Sequence, residues 1–329
     1  MNTSIQQETT TSHAADEWRP RPALREALDI IASVAKKDES AVICERSMTF
    51  RNQAEQTTVS VEPVNVDTLD GQRISEHITI HTPLTMFKLF DEGLYSTINV
   101  FATTGAIVRG ADGEDAVISR LPVFEGDDRA LTELYAPLIA KAMLLQLLGP
   151  LCGMYHFEKR KDEFAAANIG LPDWDQPSFW GPEEFTSAER RLKEAGAFTN
   201  AGANALTVEF PWEQGAVSAI AGDRTSLFQV RADVAHPSAG NGLYYRLDLP
   251  LTFDDEEAKQ CAAKLNRTEA EGIDTPPYLG AWCSVPKSGT VSFVGFWPNF
   301  LYVPGTVSNL VFWSWSRSRI ARQLLGNLH

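Results

Sequence analysis

A chain of 329 residues, 43% hydrophobic and 22% charged, is long enough for two domains with self-sufficient cores and has the composition of a soluble globular protein. Its 29 basic and 43 acidic side chains leave a net charge of −14, a field that repels phosphate backbones and anionic headgroups, so neither nucleic acid nor membrane is expected as a partner. No run approaches the roughly 18 apolar residues of a membrane span, and the polar start Met1–His13 has no secretory pattern, so a cytoplasmic location is expected.

Residues 1–17 read as a disordered tail. Leu24, Leu28, Ile31 and Ala35 then form the apolar stripe of a helix, and strands are expected near Val42–Arg51, Thr57–Pro63 and Arg73–Thr82. Thr85 to Thr103 reads as a helix, with Ser96–Ala102 open to a strand reading. A hairpin around Gly110–Asp115 follows, and an apolar helix from Leu131 to Leu148 stops at Gly149-Pro150. Residues 151–185 form a linker, rich in Pro and carrying Trp174, Phe179 and Trp180 as aromatic anchors.

The Thr186-Ser187-Ala188-Glu189 capping box predicts a helix ending near Gly196. Alternation then marks strands at Leu206–Phe210, Phe228–Val234 and Leu243–Leu249, each with one apolar face. Thr252, with Asp255 three residues on, is expected to cap the next helix. A hairpin over Leu279–Val285 and Val291–Trp297 and a final helix over Val307–Leu325 close the chain.

Residues 83–150 recur loosely further along. Pro83-Leu84-Thr85 matches Pro250-Leu251-Thr252 at an offset of 167, and Ala106, Val117 and Pro122 match Ala281, Val291 and Pro298 at 175, 174 and 176. The expected architecture is therefore α+β: two tandem α-β-β-β-α-β-β-α units, each an antiparallel sheet with helices, over residues 18–150 and 186–329, forming a pseudo-dimer.

That order, in an acidic domain of this size, resembles the class I type III secretion chaperone-like superfamily, which includes the YbjN-type bacterial sensory-transduction regulators. The resemblance spans residues 186–325 and, more loosely, 24–148. It implies binding of extended client segments on apolar patches, no catalytic residues, and a covalent version of the family's dimer.

Catalytic signatures are missing from the sequence. There is no phosphate-binding glycine loop and no G-x-S-x-G elbow. Cys44, Cys152, Cys261 and Cys283 are scattered and read as reduced structural thiols. His77 and His81 share a strand face roughly 13 Å apart, too far to chelate one metal, and read as a solvated face. His156 with Glu158 and Glu163 reads as charged linker surface, and Asp112, Glu114 and Asp115 as a turn. Asp254–Glu257 suit a helix's first turn, and Arg317, Arg319 and Arg322 the last turns of another. No catalytic residue, metal site or cofactor is assigned.

The aromatic residues of the C-terminal third are the sharper signal. Trp282, Phe296, Trp297, Trp313 and Trp315 are the candidate protein-binding residues, because rings on both faces of a hairpin and around a helix cannot all enter a one-sided core. Either a further layer covers them or they meet a partner. The expected function is non-enzymatic protein binding, chaperone-like or regulatory, with a protein client or regulatory partner and a monomeric pseudo-dimer or homodimer as the assembly. The competing reading is an enzyme with its site between the repeats, using residues such as Glu209, Asp233 or His236.

Overall fold

The structure, a computed structural model, describes residues 42–44, 47–52, 55–67, 73–84, 92–110, 113–126, 136, 138–140, 142–143, 176–194, 197–212, 224–272, 276–285 and 287–325. The expected tail, the helix at Leu24–Ala35, residues 144–175 of the last first-copy helix and linker, and His156 lie outside them.

The first sheet holds β1 (Val42–Cys44), β2 (Ser47–Asn52), β3 (Glu55–Asp67), β4 (Arg73–Pro83), β5 (Ala106–Arg109) and β6 (Asp115–Phe124), with helix α1 (Glu92–Ile98) and a 3-10 turn (Asn99–Phe101) between β4 and β5. The second half runs α2 (Pro182–Glu194), β7 (Phe198–Ala201), β8 (Ala205–Pro211), β9 (Thr225–Arg231), β10 (Gly242–Asp248), α3 (Asp255–Ala270), β11 (Ala281–Val285), β12 (Thr290–Pro298) and α4 (Thr306–Leu325). Both sheets are antiparallel and six-stranded, and they share one order: β1-β2-β3-β4-β6-β5 and β7-β8-β9-β10-β12-β11. Each half thus has four strands before its middle helix, where three were expected. Val42–Asn52 is two strands, and the short β7 carries no alternation long enough to mark it.

Two helix starts differ from expectation. α2 begins at Pro182, whose ring suits the first helical position, so Thr186 lies inside the helix and its hydroxyl donates to the Pro182 carbonyl at 2.9 Å. The helix therefore starts within the stretch assigned to the linker. The N-cap of α3 is Asp254, in a reciprocal capping box with Glu257, two residues beyond Thr252.

Leu206, Val208, Phe228, Val230, Leu243, Tyr245 and Leu247 fill the inner face of the second sheet, under α2 and α4. β12 is different: from Val291 to Pro298 both of its faces are buried. The second cover comes from the first half. α1 packs on α3 and on β11, and α3 reaches across to β5 and β6.

The strand pairings set the correspondence between the halves. Leu84 N–H donates to Asp115 C=O at 2.7 Å, and Leu249 N–H donates to Val291 C=O at 3.1 Å. Leu84 therefore corresponds to Leu249, an offset of 165, and the Pro-Leu-Thr match is two residues out of register. Val117 likewise corresponds to Phe293, not Val291, since Ile107 pairs with Val117 as Trp282 pairs with Phe293. The Ala106–Ala281 and Pro122–Pro298 matches hold: Ala106 pairs with Ile118 as Ala281 does with Val294, and Pro122 with His77 as Pro298 does with Gly242.

Side chains repeat their tasks at these positions. Asn99 donates to the Ile107 carbonyl at 3.0 Å and accepts from its N–H at 2.9 Å; Asn266 does both for Trp282 at 2.7 Å. Gly105 and Gly280 precede β5 and β11, where an added Cβ would strike Val117 in one case and Phe293 and the Val294 backbone in the other. The carbonyl before each glycine is satisfied differently. Thr104 C=O accepts from the Ser119 hydroxyl, whereas Leu279 C=O accepts from Tyr245, whose ring occupies the space left by Gly295 at the position of Ser119.

Candidate interaction surface

The two sheets are stitched by reciprocal contacts. β5 and β11 are too short to cover the whole edges of β6 and β12, and each uncovered edge is completed by the other half. Arg120 and Tyr278 exchange backbone hydrogen bonds of 3.1 and 2.7 Å, and Phe296 N–H donates to Thr103 C=O at 3.1 Å. Tyr278 stands to Thr103 as Phe296 stands to Arg120, at offsets of 278 − 103 = 175 and 296 − 120 = 176. The Ser96 and Ser284 hydroxyls meet between the halves at 3.1 Å.

Each stitch carries a buried histidine. His77 sits beside Arg120 and under Gly272, whose positive φ of 72° lets the end of α3 turn onto the first sheet. It is not the solvated residue expected from its strand; burial, helped by the Arg120 charge, lowers its pKa to about 4. His81, on the same face, is half-buried. At the other stitch, His236 Nε2 lies 2.9 Å from the Phe101 carbonyl of the first half, its Nδ1 accepts from the Ser238 backbone N–H at 3.2 Å, and its ring packs 5.1 Å from Phe296. Burial holds this imidazole below its ordinary value too. Among the described residues, neither histidine is paired with a carboxylate at these contacts. Glu209 is exposed on β8, and Asp233 pairs with Arg231 at 2.9 Å at the surface, so the three residues of the enzyme reading are not brought together. No group of three or more His, Cys, Asp or Glu among the described residues could hold a metal ion.

Beneath α4 lies an ionic network. Arg317, expected to serve the helix's negative end, is 2% exposed, donates to both Glu269 oxygens at 2.9 Å and to the Pro277 carbonyl at 2.9 Å, and stacks 3.7 Å over the Phe293 ring. Trp282 Nε1 donates to Glu269 at 2.6 Å, and Tyr278 Oη donates to Asn266 at 2.8 Å. The Arg317, Trp282 and Tyr278 donors thus each have an acceptor, as a buried charge requires, whereas Trp297 Nε1 and Ser314 Oγ are buried without one among the described residues. In the first half, Arg109 and Tyr95 both donate to Asp115, at 2.8 and 2.5 Å. Burial raises the Asp115 carboxyl, but these hydrogen bonds outweigh it and the net shift is downward. Tyr95 is pushed up to about 12, first by burial and then by the carboxylate.

The candidate aromatic residues divide sharply. Trp282, Phe296 and Trp297 are core: Trp282 packs edge-on to Phe293, Phe296 lies at the His236 stitch, and Trp297 meets Trp313 at 6.3 Å. Trp313 is half-buried, and Trp315 is 47% exposed. Phe312, which the residue pattern did not separate from its neighbours, is 41% exposed one turn before Trp315. The surface is thus one helix face, not the whole cluster. Of the linker anchors, Trp180 is buried against Tyr302, whereas Phe179 is held by its N–H, which donates to Asn299 at 3.1 Å, and keeps its ring 47% exposed.

No protein-family model, curated protein or solved structure matches this chain. No helix among the described residues is long and apolar enough to cross a membrane.

Proposed function

We propose that the chain is a non-enzymatic protein-binding protein, chaperone-like or regulatory, built from two tandem copies of one unit closed into a pseudo-dimer. The shared strand order, the paired asparagines Asn99 and Asn266 and the reciprocal stitches support the duplication. The observation that carries the binding reading is the exposed pair Phe312 and Trp315: two large rings left in water on an ordered helix whose other face is fully packed. The buried, reduced Cys261 and Cys283 accord with a cytoplasmic location. The resemblance to secretion chaperones supplies the expected ligand class, an extended or amphipathic segment of another protein.

Capture of partners from the native host by the wild type and by the Phe312→Ala/Trp315→Ala variant tests this. Proteins retained by the wild type and lost with the two rings are the expected result. Identical capture by both, or none by either, removes the reading.

A further inference from the structure

We infer that the outward face of α4 is an interface between two copies of this chain, paired antiparallel about a two-fold axis passing between Phe312 and Trp315. The inference rests on the reading of that face as protein-binding and names its occupant.

The face is self-complementary in charge. Gly305 lies seven residues before Phe312, and Arg322 seven residues after Trp315, so all four fall on one helical stripe. At the Gly305 end sits a carboxylate: Glu184 accepts from Gly305 N–H at 3.0 and 3.2 Å, and exposed Glu183 is its neighbour. Beyond Trp315 the stripe turns basic, with Arg319 half-exposed and Arg322, also half-exposed, donating to the Trp212 carbonyl at 3.0 Å. No Asp or Glu occurs anywhere in the helix. The face therefore reads acidic, aromatic, basic along about 26 Å.

The spacing is symmetric. The midpoint of 305 and 322 is 313.5, and so is the midpoint of 312 and 315. Turning one copy about that point stacks ring pair on ring pair. It also places the Arg319–Arg322 end of each copy against the Glu183–Glu184 end of the other, with opposed helix dipoles. A parallel pairing would set Arg against Arg. Two chains of net charge −14 repel at long range, so their contact needs local opposite charges, and this face supplies both signs to itself.

Sedimentation or light scattering across concentration tests the pairing. The wild type should pass from 36.3 kDa toward twice that mass. Phe312→Ala/Trp315→Ala removes exposed rings, leaves the core intact, and should raise the dissociation constant roughly tenfold or more. Arg319→Glu/Arg322→Glu and Glu183→Lys/Glu184→Lys should each be monomeric alone and form a mixed dimer when combined, because both ends become complementary again.

A wild type that stays at 36.3 kDa at about 100 µM, well above typical weak-dimer affinities, overturns the inference, as does a dimer that persists without the two rings. Failed rescue on mixing two folded charge variants overturns the antiparallel register. A monomeric wild type that still loses captured proteins with Phe312 and Trp315 removes the second copy as occupant and leaves the protein-binding reading standing.

Discussion

Asn266 holds Trp282 by both backbone groups, accepting from its N–H and donating to its C=O, each at 2.7 Å, while its oxygen also accepts from Tyr278 Oη at 2.8 Å. Asn99 holds Ile107 in the same way in the first half. A single side chain thus fixes where α3 lies against β11, and its counterpart where α1 leads into β5. Asn266→Ala should cost about 3 kcal/mol, since it strands three buried groups at roughly 1–3 kcal/mol each with partial relaxation. Asn99→Ala, with two groups stranded, should cost less. Urea unfolding of both variants measures the difference, and equal losses would speak against the extra Tyr278 bond.

The pair Arg317 and Glu269 makes a second test. Arg317→Met leaves a buried carboxylate without its cation and should lose about 3–5 kcal/mol. Adding Glu269→Leu removes the stranded charge, so the double variant should be more stable than Arg317→Met alone despite the lost Trp282 acceptor. A thermal or denaturant double-mutant cycle with strictly additive losses would refute the coupling.

Tyr245 and Gly295 should exchange function with Ile80 and Ser119. Gly295→Ser alone places atoms against the Tyr245 hydroxyl and should destabilise by about 2 kcal/mol or more through overpacking. With Tyr245→Ile added, the serine can serve the Leu279 carbonyl as Ser119 serves Thr104. Partial recovery, a coupling of roughly 1 kcal/mol or more, is the expected outcome. No recovery would mean that the two halves are not interchangeable at this site.

Acid should weaken the junction. His77 titrates near 6.5 when unfolded and at about 4 in the folded chain, so above pH 6.5 its contribution is flat. Below that, the unfolded chain takes up the proton first, and stability falls by about 1.4 kcal/mol per pH unit until the folded group also titrates near pH 4, roughly 3 kcal/mol in all. His236, shifted in the same direction, adds to the slope. His77→Gln should flatten the profile between pH 6.5 and 4, and an unchanged slope would show that His77 is not the group responsible.

Much of the local structure was legible along the chain. Period-two alternation located β8 to β10, and turn residues located both hairpins, because each needs only a few neighbouring residues to satisfy it. The four-residue β7 is too short to show alternation, and its side chains are mostly unburied. The Pro-Leu-Thr match does not follow strand register: such a corner can recur by chance, whereas register is set by hydrogen bonds the sequence does not display.

Sequence by itself determined an acidic α+β chain with an excess of aromatic residues near its end. Which of those rings are core was decided by tertiary structure. Trp282 and Trp297 disappear under α3 and α4 of their own half, against Glu269 and Trp313, whereas Phe296, on the opposite face of β12, disappears at the contact with Thr103, across more than 150 residues of chain that no local periodicity encodes. Phe312 and Trp315 stay in water because α4 has only one face to bury, and its Arg317 already spends that face on Glu269. The same physics explains His77: its strand reads as solvated until the end of α3, turning at Gly272, closes over it.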